Sequence, residues 1–260
     1  MAKRPNRIIV KLGTGILTNP ARNGLDRPQF VRLTSEVAAL TKAGHHVALV
    51  SSGAVGAGMM RLGISRRPED LPGIQACAAV GQSRLMNLYE TLFAKHGIGV
   101  AQLLLTHSDL DSRSRYENAR NTLDRLFEHD DVVPIINEND SVATEELRFG
   151  DNDRLSAEVA CLARADLLVL LTSADGLMRS IEEKGLPVPI VRDVDAVAHY
   201  ASATKGRLSV GGMVSKLQAV KYAVAAGVPV VIANGRTPGV IAQAVAGGNV
   251  GTRFLARRRS

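Results

Sequence analysis

The sequence predicts an α/β fold in which a mainly parallel sheet carries helices on both faces. Two observations lead there. Strand-like and helical runs alternate along the whole chain, and the strand-like runs are nearly continuous in apolar residues. A strand covered on both faces needs apolar side chains in both directions, and short helical crossovers return the chain for the next parallel strand.

The strands are expected at 7–12 (RIIVKL), 46–51 (HVALVS), 99–105 (GVAQLLL), 132–137 (VVPIIN), 166–172 (DLLVLLT) and 229–234 (PVVIAN), each rich in Val, Ile or Leu. Helical periodicity fills 27–43, 75–95, 113–129, 152–164, 213–226 and 238–245. In AAGVPVVIANG (225–235) a helix ends at Gly227, a buried strand follows, and a turn closes it. Residues 178–211 break the pattern with Gly, Pro and charges. They read as an excursion over the sheet, a hairpin followed by a mobile loop. No composition break marks a linker and no repeat is present, so residues 1–260 read as one domain.

Composition narrows the function classes. The 45% hydrophobic fraction supports a sizeable core. With no Trp, five Phe and four Tyr, stacking platforms for single-stranded nucleic acid are not expected. The net charge of +7, from eight Lys and twenty-four Arg against 25 acidic residues, suits an acidic metabolite, nucleic acid, or simply a solvated Arg-rich surface. ARRRS at the C-terminus reads as a frayed basic tail. Cys77 and Cys161 form no CxxC pair and read as reduced core residues. No apolar run approaches the roughly 20 residues of a membrane span, and MAKRPNRIIVKLG runs straight into a strand without a signal-peptide pattern. A cytoplasmic protein with no membrane and no nucleic-acid partner is expected.

In an open parallel sheet, ligands bind beyond the carboxyl ends of the strands. Five of the six predicted strands end in clusters of Gly, Ser, Thr, Asn or Asp: KLGTG (11–15), SSGAVGAG (51–58), NENDS (137–141), TSADG (172–176) and NGRTPG (234–239). KLGTG pairs a lysine with two glycines, which suits an anionic oxygen or a structural turn. It is not a Walker A loop, because GxxxxGK[ST] does not occur. SSGAVGAG has the spacing GxxGxG rather than a dinucleotide fingerprint. It opens a helix whose N-terminus could hold an anion, or it marks close strand–helix packing. SVGGMVSK (209–216) sets two glycines and Lys216 at a helix start, as a phosphate loop or a flexible cap. In GDNDRLS (150–156), Asp151 or Asn152 reads as the cap of a helix beginning near Asp153, a role compatible with a site position. Two lysines, three Gly-rich strand ends and this acidic knot together suggest phosphoryl transfer without a P-loop. The six histidines show no ligand spacing, and His107 in THSDLDS reads as part of a capping loop near the rim.

IIVKLGTG (8–15), LVSSGAVGAG (49–58), AAVGQSRLM (78–86), ARNTLDRLF (119–127), PIINENDSVA (134–143), FGDNDRLSA (149–157) and GGMVSKLQA (211–219) occur in that order. Over essentially the whole chain this resembles the amino acid kinase family, in its glutamate 5-kinase branch. AVGQ, INENDSVA and GDND are the specific motifs. The resemblance implies an αβα sandwich, with an N-terminal part binding L-glutamate and a C-terminal part, roughly from 166, binding ATP. The implied reaction moves the γ-phosphate of ATP to the side-chain carboxylate of L-glutamate, the first step toward proline.

By the same resemblance, Lys11 and Lys216 neutralise the transferring phosphoryl group and Asp153 positions them. Ser52, Asp140 and Asn152 hold glutamate. Thr172 and Ser173 lie beside the nucleotide with the loop Val210, Gly211, Gly212, Met213, Val214, Ser215 and Lys216. Mg²⁺ accompanies ATP, held through phosphates and water with no dedicated protein metal site. Proline as a feedback inhibitor and a homo-oligomer, dimer or tetramer, are expected on the same ground. Two departures bear on the nucleotide side. Val210 stands where the family usually has threonine, and TSADGLMRSIEE lacks the Gly-Leu-Tyr and Asp-Pro of many relatives. Many relatives also carry a C-terminal PUA module, which has no counterpart before Ser260, so a form without it is expected. The alternatives are another family member acting on acetylglutamate, carbamate or UMP, and a catalytically silent protein that binds anions or nucleic acid. An acetylated acceptor has no ammonium group for Asp140 to bind.

Overall fold

A computed structural model describes residues 6–19, 24–143, 152–179, 186–203 and 212–256. Strand β1 (Arg7–Leu12) runs into a one-turn helix α1 (Thr14–Leu17), then a small antiparallel pair, β2 (Thr18–Asn19) and β3 (Gly24–Leu25). Helix α2 (Arg27–Lys42), strand β4 (His46–Val50), helices α3 (Ala54–Leu62) and α4 (Leu71–Ala94), and strand β5 (Gly99–Leu105) follow. Next come α5 (His107–Asp111), α6 (Arg113–Leu126), β6 (Val132–Glu138), α7 (Asn152–Leu162) and β7 (Leu167–Thr172). The last part holds β8 (Ile190–Val191), α8 (Ala198–Ala203), α9 (Met213–Ala225), β9 (Val230–Asn234), α10 (Val240–Val245) and β10 (Thr252–Phe254).

Among the described residues, eight strands form one sheet in the order β5-β6-β4-β1-β7-β9-β10-β8. All neighbours are parallel except β9 and β10. The expected parallel sheet with helices on both faces is therefore present, with one antiparallel step near an edge. Successive strand residues point to opposite faces, which sorts the core into two layers. Ile9, Val50, Ile136, Leu168, Leu170 and Ile232 meet α7 and α9 on one face. Ile8, Val10, Leu49, Val169, Leu171 and Val231 meet α2, α4 and α10 on the other. Each fully buried Leu or Ile stabilises the fold by about 1.5–3 kcal/mol. The near-continuous apolar runs exist because both layers draw on the same strands.

The chain fills one side of β1 first, through β4, β5 and β6, and then crosses to the other side through β7. The strand order reverses beside β1. This is where an open α/β sheet leaves a crevice at its carboxyl edge.

Within 178–211 the expected hairpin and loop fall partly on residues outside those described. Ile190–Val191 add a single edge strand parallel to β10, and α8 follows. Residues 180–185 and 204–211 lie outside the described residues, as does the 257–260 tail.

Candidate active site

Lys11 is the fifth residue of β1 and shares a face with Ile9, so it projects to the side covered by α7 and α9. Asp153 stands in the first turn of α7 and Lys216 in the first turn of α9, and these two helices pack on each other. The three side chains meet. Lys11 Nζ donates to Asp153 Oδ1 at 2.5 Å, and Lys216 Nζ donates to Oδ2 at 2.9 Å. Ser215 Oγ also donates to Oδ2, at 3.3 Å. Asp153 is fully buried, and the lysines are only 4% and 7% exposed. Buried charges survive when they are paired and hydrogen-bonded. Two ammonium groups thus converge on one buried carboxylate.

Asn152, one residue earlier, is the first helical residue of α7, so the cap position falls on Asp151, outside the described residues. The Asn152 side chain does not cap the helix. Its amide donates to the Ser51 carbonyl, to Ser52 Oγ at 3.3 Å and to Asn137 Oδ1 at 2.8 Å. Asn137 Nδ2 in turn donates to Gln82 Oε1 at 2.8 Å. One polar chain therefore links the ends of β4 and β6 with α4 and α7, and it runs through SSGAVGAG, AVGQ, NENDS and GDND.

These ends surround a half-open cleft beyond the carboxyl edge of the sheet. Thr14, Ser52–Gly56, Arg67, Asn137, Glu138, Asp140 and Asn152 line it. Asp140 lies just past β6 in a turn held by Ala143 N–H donating to the Asn139 carbonyl at 3.0 Å. Burial pushes its carboxyl up to about 6, and the Arg67 guanidinium pulls in the opposite direction.

The glycines of SSGAVGAG divide between the two readings of that motif. Gly53 has φ 103°, a left-handed conformation that caps α3 without a Cβ penalty. Gly56 lines the cleft, with nothing near the position its Cβ would take. Gly58 is a packing residue, because a Cβ there would lie 1.7 Å from the Cys77 carbonyl oxygen. Gly81 of AVGQ makes the reciprocal contact, where a Cβ would lie 1.7 Å from the Ala54 oxygen. The crossing of α3 and α4 thus holds the loop that carries Ser52.

On the other side of β1, Thr172 closes β7 on the α9 face and Ser173 follows it beside Gly15. The Thr172 carbonyl accepts from Gly235 N–H at 2.8 Å, and Asn234 Nδ2 donates to Asp175 Oδ1 at 2.8 Å. TSADG and NGRTPG therefore share one rim. Gly212 precedes α9 and faces open space. Met213 is buried, Val214 is exposed, and Ser215 and Lys216 point to Asp153. Val210 and Gly211 lie outside the described residues.

The sequence reading missed Asn137 and Arg67. Asn137 sits inside a motif already singled out, INENDSVA, and its position at the carboxyl end of a buried strand was the available signal. Arg67 belongs to the irregular α3–α4 loop, where no pattern marks it. His107 lies where expected, behind a Thr106 cap with a capping box to Asp109. It is also buried against α7, with Nδ1 2.7 Å from Glu158 Oε2, while Arg154 Nε donates to Glu158 Oε1 at 2.9 Å. Hydrogen bonding to Glu158 raises the His107 pKa, and burial opposes that rise.

A mostly parallel sheet with two buried lysines clamped on one aspartate at its carboxyl edge is the build of a phosphoryl-transfer enzyme. The chain belongs to the amino acid kinase family, whose model matches residues 6–234. Within that family it is similar to glutamate 5-kinase from Thermus thermophilus, with 48% identity over 256 residues covering 97% of this chain and 68% of that protein. Glutamate 5-kinase from Geobacter sulfurreducens is 47% identical over 258 residues, covering 98% of this chain and 69% of that protein. Among solved structures, UMP kinase from Bacillus anthracis matches with a TM-score of 0.65 at 17% identity, covering 98% of each chain. Carbamate kinase from Giardia lamblia bound to AMP-PNP matches with a TM-score of 0.64 at 19% identity, covering 97% of this chain and 99% of that one. The structural matches establish the fold alone. No helix among the described residues is long and apolar enough to cross a membrane.

Proposed function

We propose that the protein transfers the γ-phosphate of ATP to the side-chain carboxylate of L-glutamate, giving L-glutamyl 5-phosphate and ADP, the first step toward proline. The observation that carries this is the placement of neighbouring residues: Asn152 closes the acceptor cleft while Asp153 anchors both lysines. An acceptor held by Ser52, Asn137 and Asn152 presents its carboxylate to a phosphoryl group lying against Lys11 and Lys216. A carboxylate oxygen attacks phosphorus, the bond from phosphorus to the bridging β,γ-oxygen breaks, and that electron pair leaves with ADP. Little covalent work falls to the protein. Its contribution is in-line positioning and neutralisation of the charge on the transferring group. Asp153 keeps the ammonium groups aimed, and Asp140 receives the acceptor's ammonium.

The division of labour follows the sheet. The strands before α7 supply the acceptor side. Thr172, Ser173 and the residues leading into α9 supply the nucleotide side, roughly from 166 onward. No group of three or more His, Cys, Asp or Glu among the described residues could hold a metal ion. On this reading Mg²⁺ accompanies the triphosphate, held by phosphate oxygens and water. Proline feedback, assembly into a dimer or tetramer and a cytoplasmic location belong to the same reading.

ADP release by the purified protein, with L-glutamate, N-acetylglutamate, carbamate or UMP as acceptor, tests it. Turnover with L-glutamate far above the others is expected. Turnover with another acceptor and none with L-glutamate would sink the assignment.

A further inference from the structure

Two carboxylates and one ammonium group must be matched in an L-glutamate site. On the reading above, the reactive carboxylate faces the lysines and the ammonium faces Asp140, which leaves the α-carboxylate without an assigned partner. Among the described residues, Arg67 is the one cationic side chain lining the cleft. Its neighbour Arg66 is spent on a surface ion pair with Glu69 at 2.5 Å. Arg67 makes no hydrogen bond or ion pair with the described residues, yet its field reaches Asp140.

The loop that carries Arg67 is tied down at both ends. Ile64 N–H donates to the Met59 carbonyl at 2.9 Å, and Asp70 caps α4 by accepting from Gly73 N–H at 2.8 Å. A small apolar cluster of Val55, Ile74, Cys77, Ala78 and Ala143, with Ile64 against it, joins this loop to the turn that carries Asp140. Gln75 Nε2 adds a bond to the Ala143 carbonyl at 3.0 Å. Cation and anion are thus mounted on one scaffold beside one cleft, which the first turn of α3 also lines.

We propose that Arg67 receives the α-carboxylate of the acceptor while Asp140 receives its ammonium, so that the pair selects an α-amino acid head group. This rests on the L-glutamate reading and assigns a residue to its outer end. A guanidinium offers a carboxylate two parallel donors, which reads geometry as well as charge.

Wild type, Arg67→Ala and Arg67→Lys are compared with L-glutamate and with 4-aminobutanoate, which is the same acceptor without its α-carboxylate. Each compound is measured as a substrate or as a competitor of L-glutamate. Loss of one charge-assisted contact corresponds to about 10- to 100-fold. Arg67→Ala is expected to raise the L-glutamate KM by that factor with little change in kcat, and to leave 4-aminobutanoate unaffected. Arg67→Lys should fall between the two. An unchanged L-glutamate KM, or an equal loss with both compounds, overturns the role of Arg67 while the L-glutamate reading stands. A wild type inert toward L-glutamate overturns both.

Discussion

Asp140 is partly buried and makes no hydrogen bond or ion pair with the described residues. Its carboxyl is pushed from 3.8 up to about 6 by burial. Between those values the folded protein binds more protons than the unfolded chain, so stability falls as pH rises from about 4 to 6 and stays lowered above 6. At about 1.4 kcal/mol per pH unit the displacement is about 3 kcal/mol, and partial solvent screening brings it to about 1–3 kcal/mol. Asp140→Asn removes the charge and breaks no described bond. The variant should therefore match wild type near pH 4 and be more stable at pH 7, by about 1–3 kcal/mol. At roughly 2–4 °C per kcal/mol this is a rise of several degrees in Tm. The same substitution should weaken L-glutamate binding by at least tenfold at pH 7, because an ammonium loses its carboxylate. Thermal unfolding of both proteins from pH 4 to 8, with L-glutamate titrations at pH 7, reads both effects. A variant less stable than wild type at pH 7, or a pH-independent difference, would refute the argument.

Gly81→Ala places a methyl group 1.7 Å from the Ala54 oxygen, which forces α3 and α4 apart. A loss of about 1–3 kcal/mol in denaturant unfolding and a raised L-glutamate KM are expected, whereas Gly56→Ala, facing open space, should leave stability nearly unchanged. His107 has a raised pKa through Glu158, so the stability it contributes is full below 6.5 and is lost as pH rises through the raised value. His107→Gln should flatten that decline in a pH series of unfolding midpoints.

Much of this was readable in the sequence because the governing pattern is local. Six strands and six helices follow from apolar runs and periodicity, and their bounds agree with the structure to within a few residues. Strand β10 was not, because three residues carry no period, and Phe254 is a strand residue only through its pairing with β9 and β8. A helix opening at SSGAVGAG was legible, but the roles of its glycines as cap, opening and packing contact were not, because they differ only in what lies across from them. The meeting of Lys11 and Asp153, 142 residues apart, is a property of the sheet order. Family resemblance pointed to it, and composition and spacing could not. Arg67 left no trace because a loop arginine looks like any solvated one until a cleft forms beneath it.

The central claim is that Asp153 holds Lys11 and Lys216 for phosphoryl transfer to a carboxylate. The direct measurement is trapping of the acyl phosphate by hydroxylamine in wild type, Asp153→Asn and Lys216→Ala, with L-glutamate binding followed in parallel. Wild type should form the hydroxamate from ATP and L-glutamate. The variants should fall by 10²-fold or more in kcat while still binding L-glutamate. Full hydroxamate formation by either folded variant would contradict the account.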